Sequence, residues 1–469
     1  MARACSTVWP VSGREGNQAE NRMRLEDRAV HDWYRFVLSF PPHLVRRYLD
    51  RFEATSNSSV LDPFCGTGTT LVESKRLGLA SIGVERNPAA HLASSVKTDW
   101  EIDAGALLAH AREVASMANE RLRSEGLEDE LALPLFARPP RKPPRLRALP
   151  AESGKLLLGN SISPLPLHKA LILTATLDEA GDHRFINHER LALAKVLVFE
   201  ASNLQFGPEV GVGPAKADAA VIRPWLSAVR AMAGDLRDVQ GRPHAPATVH
   251  LGDARRTSAF VAPQSVDIVI TSPPYPNEKD YTRTTRLESL VLGFIRDQRD
   301  LRHLKRDLVR SNTRSVYKDD TDDLSIAGNA EIRRIAEAIE SKRVELGKTS
   351  GFERQYARVT KLYFGGMARH LADLRQVLRP GARLAYVVGD QASYLRIMIR
   401  TGQLLAGIAA SLGYEVLGLD LFRTRLATAT GEALREEVLM LRWPGAPANP
   451  NTRARPQLKK TPPGQLPGK

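Results

Sequence analysis

Seven short runs of apolar and β-branched residues punctuate the chain, starting near positions 59, 81, 247, 266, 382, 414 and 436. Each is the length of a buried strand and is bounded by turn residues or by a helical pattern. Between them, apolar positions recur every three or four residues and predict helices at Leu44–Phe52, Thr69–Leu77, Pro88–Val96, 104–123, 187–200, 225–239, Tyr363–Leu378 and 401–412. Strands alternating with helices predict an α/β, doubly wound sheet. Arg379-Pro380-Gly381 is placed to stop the helix before it. Phe206–Pro214 reads as a loop, and Arg423–Arg435 as a long antiparallel connection between the last two strands. Two long stretches, 101–246 and 277–360, carry helical patterns without a core strand and read as insertions.

Two of the seven runs end in unusual chemistry. Val266–Thr271 leads into Ser272-Pro273-Pro274-Tyr275. The prolines cannot continue a ladder, so the chain leaves the sheet stiffly at the strand's carboxyl end, where open α/β sheets place their sites. A hydroxyl, a prolyl carbonyl and an aromatic face on a rigid turn suit gripping a flat base by its exocyclic amine. Ser59–Leu61 leads into Asp62-Pro63-Phe64-Cys65-Gly66-Thr67-Gly68-Thr69-Thr70. Gly66 and Gly68 permit positive φ and close backbone approach to a ligand, and the helix start beyond them favours an anionic group. The spacing is neither the dinucleotide fingerprint nor the P-loop. The next strand, Ser81–Glu85, ends on a carboxylate suited to ribose hydroxyls. Together these features indicate an adenosine-bearing cofactor without a triphosphate.

The pair of motifs resembles the amino-methyltransferases, which use S-adenosylmethionine to methylate exocyclic amines of DNA bases. Asp62–Thr70 is similar to their cofactor loop and Thr271–Tyr275 to their catalytic loop. Phe40-Pro41-Pro42-His43-Leu44 resembles the element that flanks the cofactor. The resemblance covers roughly 30–100 and 247–443 and implies a seven-stranded Rossmann-like methyltransferase sheet whose final strand runs antiparallel. It also implies cofactor contacts at Pro42, Asp62 to Thr69 and Glu85, with Asp253 receiving the adenine amine. Ser272, Pro273, Pro274 and Tyr275 are the implied catalytic set. Ser272 Oγ and the Pro273 carbonyl accept hydrogen bonds from the amine, and Tyr275 stacks on a base flipped from double-stranded DNA. Serine at the first catalytic position resembles the cytosine-N4 enzymes more than the adenine-N6 ones, which more often carry Asp or Asn.

Composition fits such a partner. The 469 residues carry a net charge of +14, which favours a polyanion. Only Cys5 and Cys65 occur, so a disulfide framework and a cysteine-rich zinc site are excluded, and a reducing cytoplasm is expected. Neither cysteine is set for attack on a cytosine ring carbon; Cys65 reads as a small packing residue. His188-Glu189 lacks the Pro-Cys-x-x-Cys half of a deaminase signature, and no metal is expected. No apolar run approaches a membrane span.

The division expected is 1–100 for the first core part, 101–246 for an insertion and candidate target-recognition region, 247–276 for the core with the catalytic loop, 277–360 for a basic helical insertion, 361–443 for the last core part, and 444–469 for a disordered basic tail. Pro/Arg-rich 137–150 reads as a linker, Arg296–Arg310 as a basic stretch facing phosphates, and 331–345 as a solvated helix. Two alternatives stand beside DNA amino-methylation: an RNA base-amine methyltransferase, and a non-catalytic DNA-binding module of the same fold. A cognate restriction endonuclease is a candidate partner, and the sequence leaves oligomeric state open.

Overall fold

The computed structural model describes residues 11–12, 23–35, 39–130, 145–207, 210–241, 244–277, 279–426, 431 and 433–445. Cys5, residues 137–144 of the Pro/Arg segment and the tail from 446 lie outside the described residues. The strands in chain order are β1 (Val11–Ser12), β2 (Ser59–Asp62), β3 (Ala80–Glu85), β4 (Leu204–Phe206), β5 (Val210–Val212), β6 (Ala247–Leu251), β7 (Val266–Thr271), β8 (Leu378–Gly389), β9 (Glu415–Leu426) and β10 (Ala433–Arg442). One sheet runs β1-β9-β10-β8-β7-β2-β3-β6, and β4-β5 form a separate hairpin. All seven expected strands are present, and two-residue β1 adds an eighth at the edge, parallel to β9. The central ladders are parallel, whereas β10 is antiparallel to both neighbours, as the final strand of this fold should be.

The central strands are apolar on both faces because both are covered. Alternate residues divide cleanly. Val60, Ile268, Ile270 and Val387 pack under helix Pro42–Arg51 through Leu44, Val45 and Tyr48. Leu61, Val269, Leu384 and Tyr386 pack under helix Tyr356–Leu374 through Tyr363, Phe364 and Met367. The chain runs β2, β3, β6 toward one edge and then restarts at β7 on the other side of β2. That reversal creates a crevice at the carboxyl ends of β2 and β7.

The first insertion is helical: Ala104–Ser124, Pro164–Ala180, Ile186–Val196 and Ile222–Gln240 share one apolar cluster with Val72, Val96 and Trp100 of the core. Leu287 and Val291 of the second insertion join the same cluster.

Several boundaries differ from expectation. Helix Tyr356–Leu374 starts earlier than predicted, and β8 already begins at Leu378, so Arg379-Pro380-Gly381 lies inside a strand. A register shift between Val266 and Ile268 absorbs the proline there. Residues 423–426 and 433–435 extend β9 and β10 instead of forming a connection. Phe206–Pro214 is not all loop, since β4 and β5 pair across it and Phe206 packs on Phe199. Helix Ala330–Glu345 is not solvated all round; Ile332, Ala336 and Ile339 are buried. Among the described residues no helix is long and apolar enough to cross a membrane.

Gly365 lets the second insertion seat on helix Tyr356–Leu374. A Cβ at Gly365 would lie 2.0 Å from the Asp322 carbonyl oxygen, which is backbone and cannot swing away. Gly365→Ala is therefore expected to destabilise the fold by about 1–3 kcal/mol, read as a lower denaturation midpoint. An unchanged midpoint would contradict the close packing.

Candidate active site

The two motifs meet because β2 and β7 are neighbours, with Val60 opposite Ile268 and Leu61 opposite Val269. Beyond the last ladder pair, Thr271 Oγ1 donates to Asp62 Oδ1 at 2.6 Å, and Thr70 Oγ1 donates to the Ile270 carbonyl at 3.1 Å. These bonds clamp the start of the Ser-Pro-Pro-Tyr turn to the base of the glycine loop. Asp62 is 1% exposed, and burial pushes its carboxyl up to about 7.

The glycine loop is held from below. Cys65 N–H donates to Val84 O, and Gly66 N–H donates to Glu85 Oε2 at 2.9 Å. Glu85 Oε1 accepts from Asn87 N–H at 2.7 Å, so one carboxylate ties the loop to the next helix start. Burial holds that carboxyl above its ordinary value. Gly68, at φ +85°, precedes helix Thr69–Arg76, and a Cβ there would lie 3.0 Å from Ser94 Cβ. Both the backbone angle and the close helix therefore require glycine. Cys65 Sγ would lie 2.9 Å from a Cβ on Gly83, which agrees with a packing role, and burial raises its thiol well above the usual range.

On the other side, Ser272 Oγ donates to the Val387 carbonyl at 3.1 Å. The proton is spent on β8, which leaves the hydroxyl's lone pairs as acceptors. Tyr275 N–H donates to Tyr281 Oη at 3.1 Å, holding the turn. Burial, then the nearby Glu436 carboxylate, push the Tyr275 phenol upward, so the ring stays neutral.

One cavity of about 610 Å³ joins the two halves. Pro63 to Thr67, Thr69, Glu85 and Asp253 line it together with Ser272, Pro273, Pro274 and Tyr275. Three expected cofactor residues stand off the wall. Asp62 is the buried clamp, Gly68 packs on Ser94, and Pro42 opens helix Pro42–Arg51 while Ser39 and Phe40 take the lining place. Asp253 reaches the wall but is also the N-cap of the next turn. Its carboxylate accepts from Arg255 N–H at 2.9 Å and from the Arg255 guanidinium.

The sequence reading missed two further walls. The second insertion supplies Lys279, Asp280, Tyr281, Lys305 and Asn312, and the far ends of β9 and β10 supply Arg423, Arg425 and Glu436. Lys305 pairs with Asp280 at 2.6 Å and Arg310 with Asp320 at 2.6 Å, so part of the basic stretch is spent inside the protein. Arg299 and Arg302 remain at the surface. Among the described residues no cluster of His, Cys, Asp or Glu is arranged to hold a metal ion.

A family model described as DNA methylase matches residues 2–95. The chain is 24% identical over 434 residues to the type II methyltransferase M.BsoBI of Geobacillus stearothermophilus, an alignment covering 85% of this chain and 81% of that protein. Type II methyltransferase M.AvaI, from a Nostoc species and from Anabaena variabilis, is 31% identical over 154 residues, 32% of this chain and 31% of M.AvaI. The matches and the fold support a DNA amino-methyltransferase, which implies S-adenosylmethionine as methyl donor. The glycine loop, the strand-end Glu85 and the cavity they border fit such a cofactor.

The raised Asp62 carboxyl gives a pH signature. Its folded value of about 7 exceeds the unfolded value of about 4, so between them the folded chain holds a proton the unfolded chain has lost. Stability from this group falls as pH rises through that window and levels off above it. Asp62→Asn removes the effect. In the absence of cofactor, variant-minus-wild-type stability is expected to rise by up to about 2–3 kcal/mol between pH 5 and 7 and to level off by about pH 8. A difference independent of pH would contradict the buried, raised carboxyl.

Proposed function

We propose that this chain methylates the N4 amine of cytosine in double-stranded DNA, within a specific sequence, using S-adenosylmethionine. The single cavity bordered by both the glycine loop and the Ser272–Tyr275 turn carries this reading. Pro63 to Thr67, Thr69 and Glu85 hold the cofactor, Glu85 taking ribose hydroxyls at its strand end and Asp253 the adenine amine. The bound cofactor supplies a methyl group already activated on a sulfonium.

What remains for the protein is to orient the nucleophile. A base amine is poorly nucleophilic because its lone pair is delocalised into the ring. Acceptance of its two N–H bonds by Ser272 Oγ and the Pro273 carbonyl favours a pyramidal nitrogen. Ser272 suits this because its own proton is directed at Val387 O. Tyr275 supplies a face for the base, which must leave the duplex to enter a cavity. Positioning of this kind accounts for most of the acceleration, and no dedicated strong base is required, because the methylated nitrogen is cationic and acidic enough to lose its proton to solvent after the transfer. Serine at position 272, rather than Asp or Asn, favours cytosine. The relatives' type II designation also supports a cognate restriction endonuclease as partner.

The test separates chemistry from cofactor binding. Ser272→Ala with Tyr275→Ala is expected to lower methyl transfer into DNA at least about 1,000-fold, while S-adenosylmethionine affinity by calorimetry stays within about threefold. Turnover near that of the wild type would overturn the assignment of the turn.

A further inference from the structure

The wall formed by β9 and β10 is an ion-pair cluster inside the cavity. Arg423 and Arg425 lie two residues apart on β9, and both line the cavity with Glu436. Glu436 sits opposite Arg423 in the antiparallel ladder and is only 7% exposed. Its carboxylate accepts from Arg423 Nε at 2.5 Å and Nη2 at 2.8 Å, and stands 3.5 Å from Arg425 Nε. The fork uses Nε and Nη2, so the Nη1 end of Arg423 stays outside it. Arg425 Nη2 is 3.4 Å from Gln391 Oε1.

The cluster adjoins the aromatic ring of the catalytic turn. A Cβ on Gly389 would lie 3.1 Å from Tyr275 Cε2, 3.3 Å from Glu436 Cγ and 3.5 Å from Gln391 Nε2. Tyr275, Glu436 and Gln391 therefore converge on one glycine. Glu436 is buried while the Arg423 and Arg425 side chains are 23% and 37% exposed, so solvent reaches the guanidinium side of the cluster and the pairing is weak evidence for stability. Donors held in a fixed plane beside a base-stacking ring do have a use in recognition.

The edge of the base decides which use. Cytosine presents its N4 amine, then N3, then O2, the last two both acceptors. Adenine presents its N6 amine, then N1, then a C–H that accepts nothing. With the amine held by Ser272 and Pro273, guanidinium N–H groups on the adjoining edge meet two acceptors on cytosine and one on adenine.

We infer that Arg423 and Arg425, oriented by Glu436, donate to N3 and O2 of the flipped base and thereby select cytosine. The inference rests on the cytosine reading above and goes beyond it by naming the residues that enforce the choice. Glu436 acts as a positioning residue for the two arginines.

The test uses the full chain, isotopically labelled S-adenosylmethionine and unmodified bacterial genomic DNA, with labelled nucleosides separated after digestion. Arg423→Gln and Arg425→Gln are each expected to lower labelled N4-methylcytosine roughly 10- to 100-fold. Cofactor affinity should stay within about twofold, and lowering the salt should not restore the product. Glu436→Gln should give a smaller loss, because the arginines remain. If the glutamine variants fail to bind cofactor, Arg423→Lys is read in their place. It keeps the charge but loses the planar fork, and about a tenfold loss is expected.

N4-methylcytosine within about threefold of wild type in the arginine variants would overturn the inference and leave the cytosine reading standing. Recovery at low salt would overturn it in favour of phosphate contacts. Label on adenine from the wild type would instead sink the cytosine reading itself.

Discussion

The hydrogen bond from Thr271 Oγ1 to Asp62 Oδ1 closes the one junction on which the rest of the site depends. β2 and β7 are adjacent only because the strand order reverses there, and their carboxyl ends diverge into loops with no further ladder to hold them. A buried carboxylate at that point is costly, and its raised proton affinity shows the cost. In return it fixes the glycine loop and the Ser-Pro-Pro-Tyr turn at a constant separation, with Thr70 on Ile270 O as a second tie. Displacement of either loop by an ångström would separate a methyl donor from an acceptor amine, and rate depends steeply on such distances.

The insertions extend this junction into a cavity. Tyr34 Oη donates to Glu288 at 2.5 Å, joining the N-terminal segment to the second insertion, and Arg86 pairs with Asp307 at 2.7 Å beside the Glu85 strand end. Arg255 bridges Asp253 on the core and Asp322 on the insertion. Much of the chain's positive charge is consumed in pairs of this sort. Three Arg or Lys in 131–144 and five in 446–469, with no acid in either stretch, supply more than half of the net charge of +14, so that charge is not the property of Arg296–Arg310 alone.

What could be read in the sequence follows from where local pattern and burial agree. The seven strands were legible because each is a short apolar or β-branched run bounded by turn residues or a helical pattern, and the two site loops because glycine and proline carry their backbone constraints openly. Helix Pro164–Ala180 was not, since Leu167, Ile172, Leu173 and Leu177 bury it on several sides and blur the amphipathic period. Nor was the start of β8 at Leu378, because Pro380 reads as a helix stop when the bulge that accommodates it is invisible. The motif residues Ser272 to Tyr275 and Pro63 to Thr67 do line one cavity, whereas Asp62, Gly68 and Pro42 support it from outside. Arg423, Arg425 and Glu436 went unread because their meeting depends on the register of two strands, which a sequence does not display locally.

The most direct measurement is mass spectrometry of nucleosides from duplex DNA and from RNA, each incubated with wild-type protein and isotopically labelled S-adenosylmethionine. The account predicts label in N4-methylcytosine of DNA. Label confined to RNA, or absent from both, would contradict it.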